Sequence, residues 1–366
     1  MWKTQTRISA ITMSDGTVSY GSSICEDSEP FTESGLRTLK GFTIFSAVLS
    51  CLGSTFIIAT WWLQRGVRRT IGLHIICSLS VADFFSSLVF IMDGLSPTGE
   101  LSVCRKNITS PDPNAGAACG IFAASSQLFG LAAVLWTGAL ALALHLGVLR
   151  GAKIATQEPH TLLRRMHIGV WSASFFSLFV CAAAGTLGPT GQWCWVKLED
   201  WWAGLTFYYL PLLGVFGYSL TIYWRTRRTL LSIHREASSA GGDVGRTSAV
   251  LGVTSRLRAF LLVYAVIHSF QLLNRVWDVL APHHPSYALS LFHAILGPLQ
   301  GMCNAIVYGW SASTRRVWSS AFPGLCGCVA PRDTRPATFR AQSSGSGELA
   351  PDGGLAGDAH DPQSHL

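Results

Sequence analysis

Charge is what this sequence has least of: 13% of its 366 residues are Asp, Glu, Lys or Arg, against 49% hydrophobic ones. A soluble domain carries about 25% charged residues, so the composition excludes an ordinary water-soluble chain and points to lipid as the main solvent. Lysine is scarcer still. It occurs at Lys3, Lys40, Lys106, Lys153 and Lys197 and nowhere later, which excludes a retinal Schiff base on a late segment and with it an opsin or light-driven pump. No basic-then-apolar leader stands at the start, so the first apolar segment is expected to target the chain itself. Repeated halves, the mark of many carriers, are lacking too. His74, His145, His268 and His293 fall on four different segments without metal-ligand spacing, so neither enzyme chemistry nor a cofactor is expected.

What is present is seven apolar runs: Gly41–Leu63, Ile71–Met92, Cys119–Val148, about Ile168–Leu187, Trp201–Trp224, about Ala259–Leu280 and Tyr287–Trp310. Each can cross roughly 30 Å of hydrocarbon at about 1.5 Å per residue. The expected fold is an all-α membrane protein, a seven-transmembrane helix bundle. Pro211 interrupts the fifth run, and the sixth is the weakest because Asn274, Arg275 and Asp278 crowd its end.

The loops orient the bundle. After the first run come Arg65, Arg68 and Arg69; after the third, Arg150, Lys153, Arg164 and Arg165 against Glu158; after the fifth, seven arginines against Glu236 and Asp243. These loops carry net charges of +3, +3 and +5, while the alternate loops are each net negative by one. Basic loops lie in the cytoplasm, so the N-terminus is expected outside, in a multi-pass plasma-membrane protein. The net charge of +7 thus reflects membrane topology and no nucleic-acid partner. The sequon Asn107-Ile108-Thr109 falls in a loop placed outside and marks Asn107 for glycosylation.

The chain divides into an extracellular tail over 1–38, the helical domain over 39–322, and a disordered cytoplasmic tail over 323–366, rich in Gly, Ser, Pro and Ala from Pro331 on. Within Thr314–Phe322, Val317 pairs with Ala321 and Trp318 with Phe322 at four-residue spacing. That predicts a short amphipathic eighth helix on the inner leaflet. Cys326 and Cys328 follow, either as palmitoylation sites or as plain cytosolic thiols.

Of ten cysteines, Cys51, Cys77, Cys181 and Cys303 lie within apolar runs and read as packing residues. Cys25, Cys104, Cys119 and Cys194 fall outside, in an oxidising compartment, and four cysteines allow three pairings. Cys119 with Cys194 is favoured: it ties the outer end of the third helix to the loop before the fifth, and closing so long a loop contributes about 4 kcal/mol. Cys25 with Cys104 is the second pairing. Trp193 and Trp195 flank Cys194, as suits an interface where an apolar ring keeps one polar N–H.

Three segments carry a family resemblance. Gly191-Gln192-Trp193-Cys194-Trp195-Val196, Leu135-Trp136-Thr137 through Leu149-Arg150, and Leu299 through Gly309 resemble the cAMP-receptor-like group of G-protein-coupled receptors, known from slime moulds and related to the secretin and adhesion receptors. The resemblance spans about 40–325 and implies a heterotrimeric G protein as partner and an unidentified extracellular ligand. Leu79-Ser80-Val81-Ala82-Asp83 and Asn304-Ala305-Ile306-Val307-Tyr308 are similar to motifs of rhodopsin-like receptors, with alanine in place of a proline. The third helix has no acidic-Arg-aromatic triplet and the sixth no proline, so an ionic lock and a proline hinge do not carry over.

Asp83 would cost on the order of 3 kcal/mol if left facing lipid, so it should face the bundle, with Asn304 as partner and Tyr308 nearby. The pair is either a signalling switch or a structural hydrogen bond. Asp93, Gln127, Trp193, Trp195, Arg275, Trp277, Asp278 and His293 cluster at outer helix ends as a candidate ligand pocket. Arg275 can pair an anionic ligand, snorkel to headgroups or bridge to Asp278. Inside, Arg65, Arg150, Arg227, Arg228 and Arg258 either meet a G protein or follow the positive-inside rule. The segment Ser238–Ser248 and Ser343, Ser344 and Ser346 are candidate targets of a receptor kinase, creating acidic sites for arrestin. The competing function is a seven-helix transporter or proton-coupled carrier, since intramembrane Asp and His can relay protons.

Overall fold

Inside a bilayer no water bonds the backbone, so each apolar run must satisfy its own N–H and C=O groups, and it does so as a helix. The computed structural model describes residues 33–63, 71–96, 113–149, 159–190, 193–239, 244–281, 284–309, 314, 318 and 319. The helices are α1 (Glu33–Leu63), α2 (Ile71–Leu95), α3 (Pro113–Leu149), α4 (Pro159–Ala183), α5 over 201–239, α6 (Val244–Leu280), α7 (Tyr287–Leu296) and α8 (Gln300–Gly309). Pro113 and Pro159 open α3 and α4, where a missing N–H costs nothing. Among the described residues, α1 to α5 are long and apolar enough to cross a membrane, and α7 with α8, bent by 47° at their junction, makes a sixth span. α6 falls short of that standard, as its polar Asn274, Arg275 and Asp278 end anticipates.

The helices close into a ring in which α1 meets α2, α2 meets α3, α3 meets α5, α5 meets α6, and α6 meets α7 and α8, which return to α1. α4 packs outside, against α3. The ring is polar within and apolar without. Ser50, Ser54, Asp83, Gln127, Asn274 and Asn304 are buried, whereas Phe45, Phe176 and Phe179 are 61%, 63% and 71% exposed. Water would not tolerate that outer surface and lipid does. Many hydroxyls on the spans bond within their own helix four residues back, as Thr60 does to Phe56, Ser80 to Ile76 and Ser174 to Val170.

Two features break the helical pattern. α4 stops at Ala183 rather than near Leu187, because Gly185 takes a left-handed φ of 67°. Gly185 N–H donates to Ala182 and Thr186 N–H to Cys181, a Schellman cap. Leu187 therefore belongs to a strand, β1 (Leu187–Pro189), which pairs antiparallel with β2 (Cys194–Val196) in the register Leu187↔Val196, Gly188↔Trp195 and Pro189↔Cys194. This small hairpin is an addition to the expected helical bundle, lying between two of its helices. The second break lies within the seventh span, where Pro298 has no N–H to offer the Ala294 carbonyl and the helix bends.

α5 starts as an α-helix (Trp201–Gly204), turns π-helical over Leu205–Tyr209, and continues as an α-helix over Leu210–Ser239. Pro211 stands four residues after Phe207 and cannot donate to its carbonyl. That carbonyl instead accepts from Gln127 Nε2 at 3.2 Å and Ser177 Oγ at 3.4 Å, binding α5 to α3 and α4. On the other side of the ring, α1 and α8 approach backbone to backbone. A Cβ on Gly53 would lie 2.6 Å from Met302 Cα, and one on Gly301 would strike Ser54 Oγ. Gly301 N–H donates to Ser50 Oγ at 2.9 Å across this contact, the close packing that small residues allow in membranes.

Near the end of the chain, Trp318 stacks on Phe56 at 5.0 Å and its indole donates to Thr60 Oγ1 at 2.8 Å. Thr314 and Ser319 of the expected eighth helix are helical as well, and its other residues lie outside the described ones. So do Cys25, Cys104, Asn107, Cys326, Cys328, Arg65 and Arg150, and the side chain of Arg258.

Candidate functional site

The hairpin roofs one end of the ring. A disulfide joins Cys194 on β2 to Cys119 on α3, with Cα atoms 5.4 Å apart and 75 residues between them in sequence. Cys194 N–H also donates to Asp93 Oδ2 on α2 at 3.0 Å. Next to it, Trp195 turns inward and its indole donates to Gln127 Oε1 at 2.7 Å. Gln127 is wholly buried and gives its amide to Ser177 Oγ at 2.8 Å as well as to Phe207. One glutamine thereby bonds the hairpin, α4 and α5 at once. Its amide is spent on the frame.

Trp193 meets the other wall. Its ring packs edge-on to His293 of α7 at 4.3 Å. The Arg275 guanidinium of α6 lies 5.0 Å from the Trp193 ring centre and 5.3 Å from that of Trp195, within cation–π range of both. It also bonds Thr190 Oγ1 at 3.4 Å and pairs with Asp278 at 3.5 Å. A charge this deeply buried persists only when so partnered.

Asn274, singled out in the sequence only as a polar residue in a weak run, is a hub here. Its amide lies 3.3 Å from both Asp278 Oδ2 and His293 Nδ1, and its carbonyl oxygen accepts from Ser290 at 3.4 Å. Its spacing from Asp278, one helical turn, was the available signal. Of the eight residues expected in the pocket, seven come together beneath or within the hairpin. Trp277 does not: it is 44% exposed on the far face of α6, and its indole donates to the His284 carbonyl at 2.8 Å.

Beneath this roof lies a cavity of about 70 Å³ whose lining includes Trp193, Trp195 and His293 at one end and Asp83 and Ser87 at the other. Asp83 Oδ2 accepts from Asn304 Nδ2 at 2.8 Å, and both residues are buried. The contact bridges α2 and α8 in the middle of the ring. Tyr308 lies one turn further along α8, half-buried, its carbonyl accepting from Thr314. At the opposite end, Arg227 and Arg228 of α5 are exposed, with Arg227 placed over the Trp224 ring at 5.6 Å.

The bundle has a mouth plugged by its own tryptophans, and polar pairs below whose partners sit on different helices. That is the construction of a seven-helix membrane receptor, and the solved structure of squid rhodopsin shares the fold at a TM-score of 0.60, with 15% identity, over 85% of this chain and 91% of its own. The sequence profile described as slime mold cyclic AMP receptor matches residues 32–322, and the chain belongs to that family. It is 25% identical over 272 residues to G-protein coupled receptor 1 of Arabidopsis thaliana, covering 73% of this chain and 76% of that one. It is 23% identical over 279 residues to cyclic AMP receptor-like protein A of Dictyostelium discoideum, covering 76% of this chain and 66% of that one. Fold and family together favour a receptor over a membrane carrier.

Proposed function

We propose that this protein sits in the plasma membrane with its N-terminal tail (1–38) and hairpin outside, and passes an extracellular ligand's binding to a heterotrimeric G protein. The observation that carries this reading is the cavity shared by Trp193, Trp195 and Asp83, because one space links the mouth to the polar pair at the core. At about 70 Å³ it admits a few waters and no nucleotide. A ligand must therefore displace the hairpin tryptophans or part α6 and α7 from them, and a bundle that opens this way exchanges one packing for another. Asp93, Gln127, Trp193, Trp195, Arg275, Asp278 and His293 form the ligand-responsive cluster, and Asp83, Asn304 and Tyr308 the switch below it.

Arg65, Arg150, Arg227, Arg228 and Arg258 make the cytoplasmic face for the G protein. A receptor kinase and arrestin act on the serines of the Ser238–Ser248 segment, at the facing ends of α5 and α6, and of the tail (323–366). Asn107 carries a glycan, Cys25 pairs with Cys104, and Cys326 and Cys328 carry palmitate. The names of the relatives make cyclic AMP the first ligand to try. Arg275 is the cation that meets its phosphate, at the expense of the Asp278 pair.

The test is G-protein dissociation in cells, read by resonance energy transfer, across cyclic AMP, other nucleotides, peptides and metabolites. The expected result is a response to one class that disappears in Arg275→Ala. Absence of G-protein activation with every ligand, together with solute flux through reconstituted liposomes, would overturn the reading in favour of a carrier.

A further inference from the structure

A second cavity, of about 200 Å³, opens between α5 and α6 at the hairpin end. Lower down the two helices are clasped: Tyr264 donates to the Leu212 carbonyl at 3.2 Å and stacks on Phe216 at 6.2 Å. Above the clasp runs a groove walled by Trp201 and Leu205 on one side and by Leu272, Val276 and Val279 on the other, with Trp195 also lining it. Trp201, Leu205, Val276 and Val279 are 50%, 39%, 45% and 38% exposed, so the groove opens on the outer face of the ring, where lipid chains lie.

Two cations interrupt its apolar lining. Arg275 lines it while only 8% exposed; its guanidinium reaches Asp278, Thr190 and the hydroxyl of Tyr209, which lines the groove too, while its buried Nε has no hydrogen-bond partner of its own. A buried donor of this kind is uncommon and calls for an acceptor. Lys197 also lines the groove, and its ammonium spends one N–H on the Gly185 carbonyl at 2.9 Å, which leaves two of its three donors.

We propose that this groove holds a single-chain anionic amphiphile from the surrounding leaflet, with its acyl chain between α5 and α6 and its headgroup phosphate on Arg275 and Lys197. Apolar walls exclude a bare water-soluble anion, a neutral lipid leaves the Arg275 Nε without an acceptor, and a groove this size does not take two chains. Charge-assisted hydrogen bonds to phosphate are the strong ones. Because the same guanidinium lies over Trp193 and Trp195, the amphiphile bears on the plug from the side. The site goes beyond the soluble-ligand pocket and rests on the bundle lying in a membrane, with no dependence on G-protein coupling.

The full chain, reconstituted in phosphatidylcholine nanodiscs, is photolabelled with lysophosphatidate carrying a diazirine at the chain end, and the adducts are mapped by mass spectrometry. The expected adducts fall within 201–209 and 272–280, and unlabelled lysophosphatidate suppresses them about tenfold more effectively than a monoacylglycerol of the same chain. Val276→Trp or Val279→Trp, each filling the groove from its exposed rim, removes the suppressible labelling. Phe179→Trp, on the outer face of α4, leaves it intact. Adducts spread over outward residues such as Phe45 and Phe179, or equal competition by the monoacylglycerol, would overturn the proposal. Occupancy is read directly, so the result stands whether or not the receptor activates a G protein.

Discussion

At the hairpin end, buried polar side chains find partners on other elements: Trp195 on Gln127, Gln127 on Ser177 and Phe207, Asp93 on Cys194, Asn274 on His293 and Ser290. Toward the opposite end the pattern thins. The Trp136 indole, the Ser219 and Thr226 hydroxyls and His145 Nδ1 are buried without a hydrogen-bond partner. Thr137 there bonds only within its own helix, while Trp318 to Thr60 and Ser78 to His167 are bonds between elements, and the hairpin end has orphans of its own in Asp93 Oδ1 and Arg275 Nε. A region knitted by many bonds across helices resists sliding more than one with few. The hairpin end carries more of these bonds between elements than the opposite end does.

The sharpest way to break this contrast is at the disulfide. Cys194→Ser frees a 75-residue loop and should cost about 4 kcal/mol, lowering the detergent melting temperature and surface display; an unchanged melting curve would mean the hairpin is held by its hydrogen bonds alone. Trp195→Phe and Trp136→Phe remove the same indole from the two ends. Both lose ring volume, but only the first leaves Gln127 Oε1 short of its donor, so its destabilisation should be larger by about 1–3 kcal/mol in thermal unfolding. Equal losses would erase the distinction between the ends. Asp83→Asn keeps a partner for Asn304 and should shift stability by under about 1 kcal/mol, while altering basal G-protein activation or agonist potency; no change in either signalling readout would leave the pair a structural bond. The smallest effect belongs to Thr226→Val, which deletes an unpartnered hydroxyl and should be neutral or stabilising by a few tenths of a kcal/mol. A clear loss of stability would reveal a hidden partner at this end.

The helices of the bundle were legible because the apolar runs are long and the charges sit between them. The roles of Pro211 and Pro298 were harder to read. Each proline signals a local break, but neither says that the Phe207 carbonyl will turn to Gln127, or which way the seventh span will bend. The end of α4 was misplaced by a few residues because Leu187 is apolar in either setting, and only the left-handed turn at Gly185 assigns it to a strand. Within α6, a helical repeat puts Gln271, Asn274, Arg275 and Asp278 on one face and carries Trp277 about a third of a turn away, so its outward position was readable from spacing alone. The lateral groove was not legible at all. It arises from the separation of two helices, a distance no single run encodes.

The bend at Gly297-Pro298 makes the seventh span a lever with arms of ten residues each. One arm is bolted to α1, since the Gly53–Met302 and Gly301–Ser54 contacts leave no room for the backbones to shift. The other arm carries His293 and Ser290 to the mouth and packs against α1 and α6. An arm of about 15 Å turning through roughly 10° moves its tip by about 2.6 Å, more than the slack of any hydrogen bond it holds. Were that arm to turn, leverage rather than the strength of a single contact would set how small a push on Trp193 the core feels.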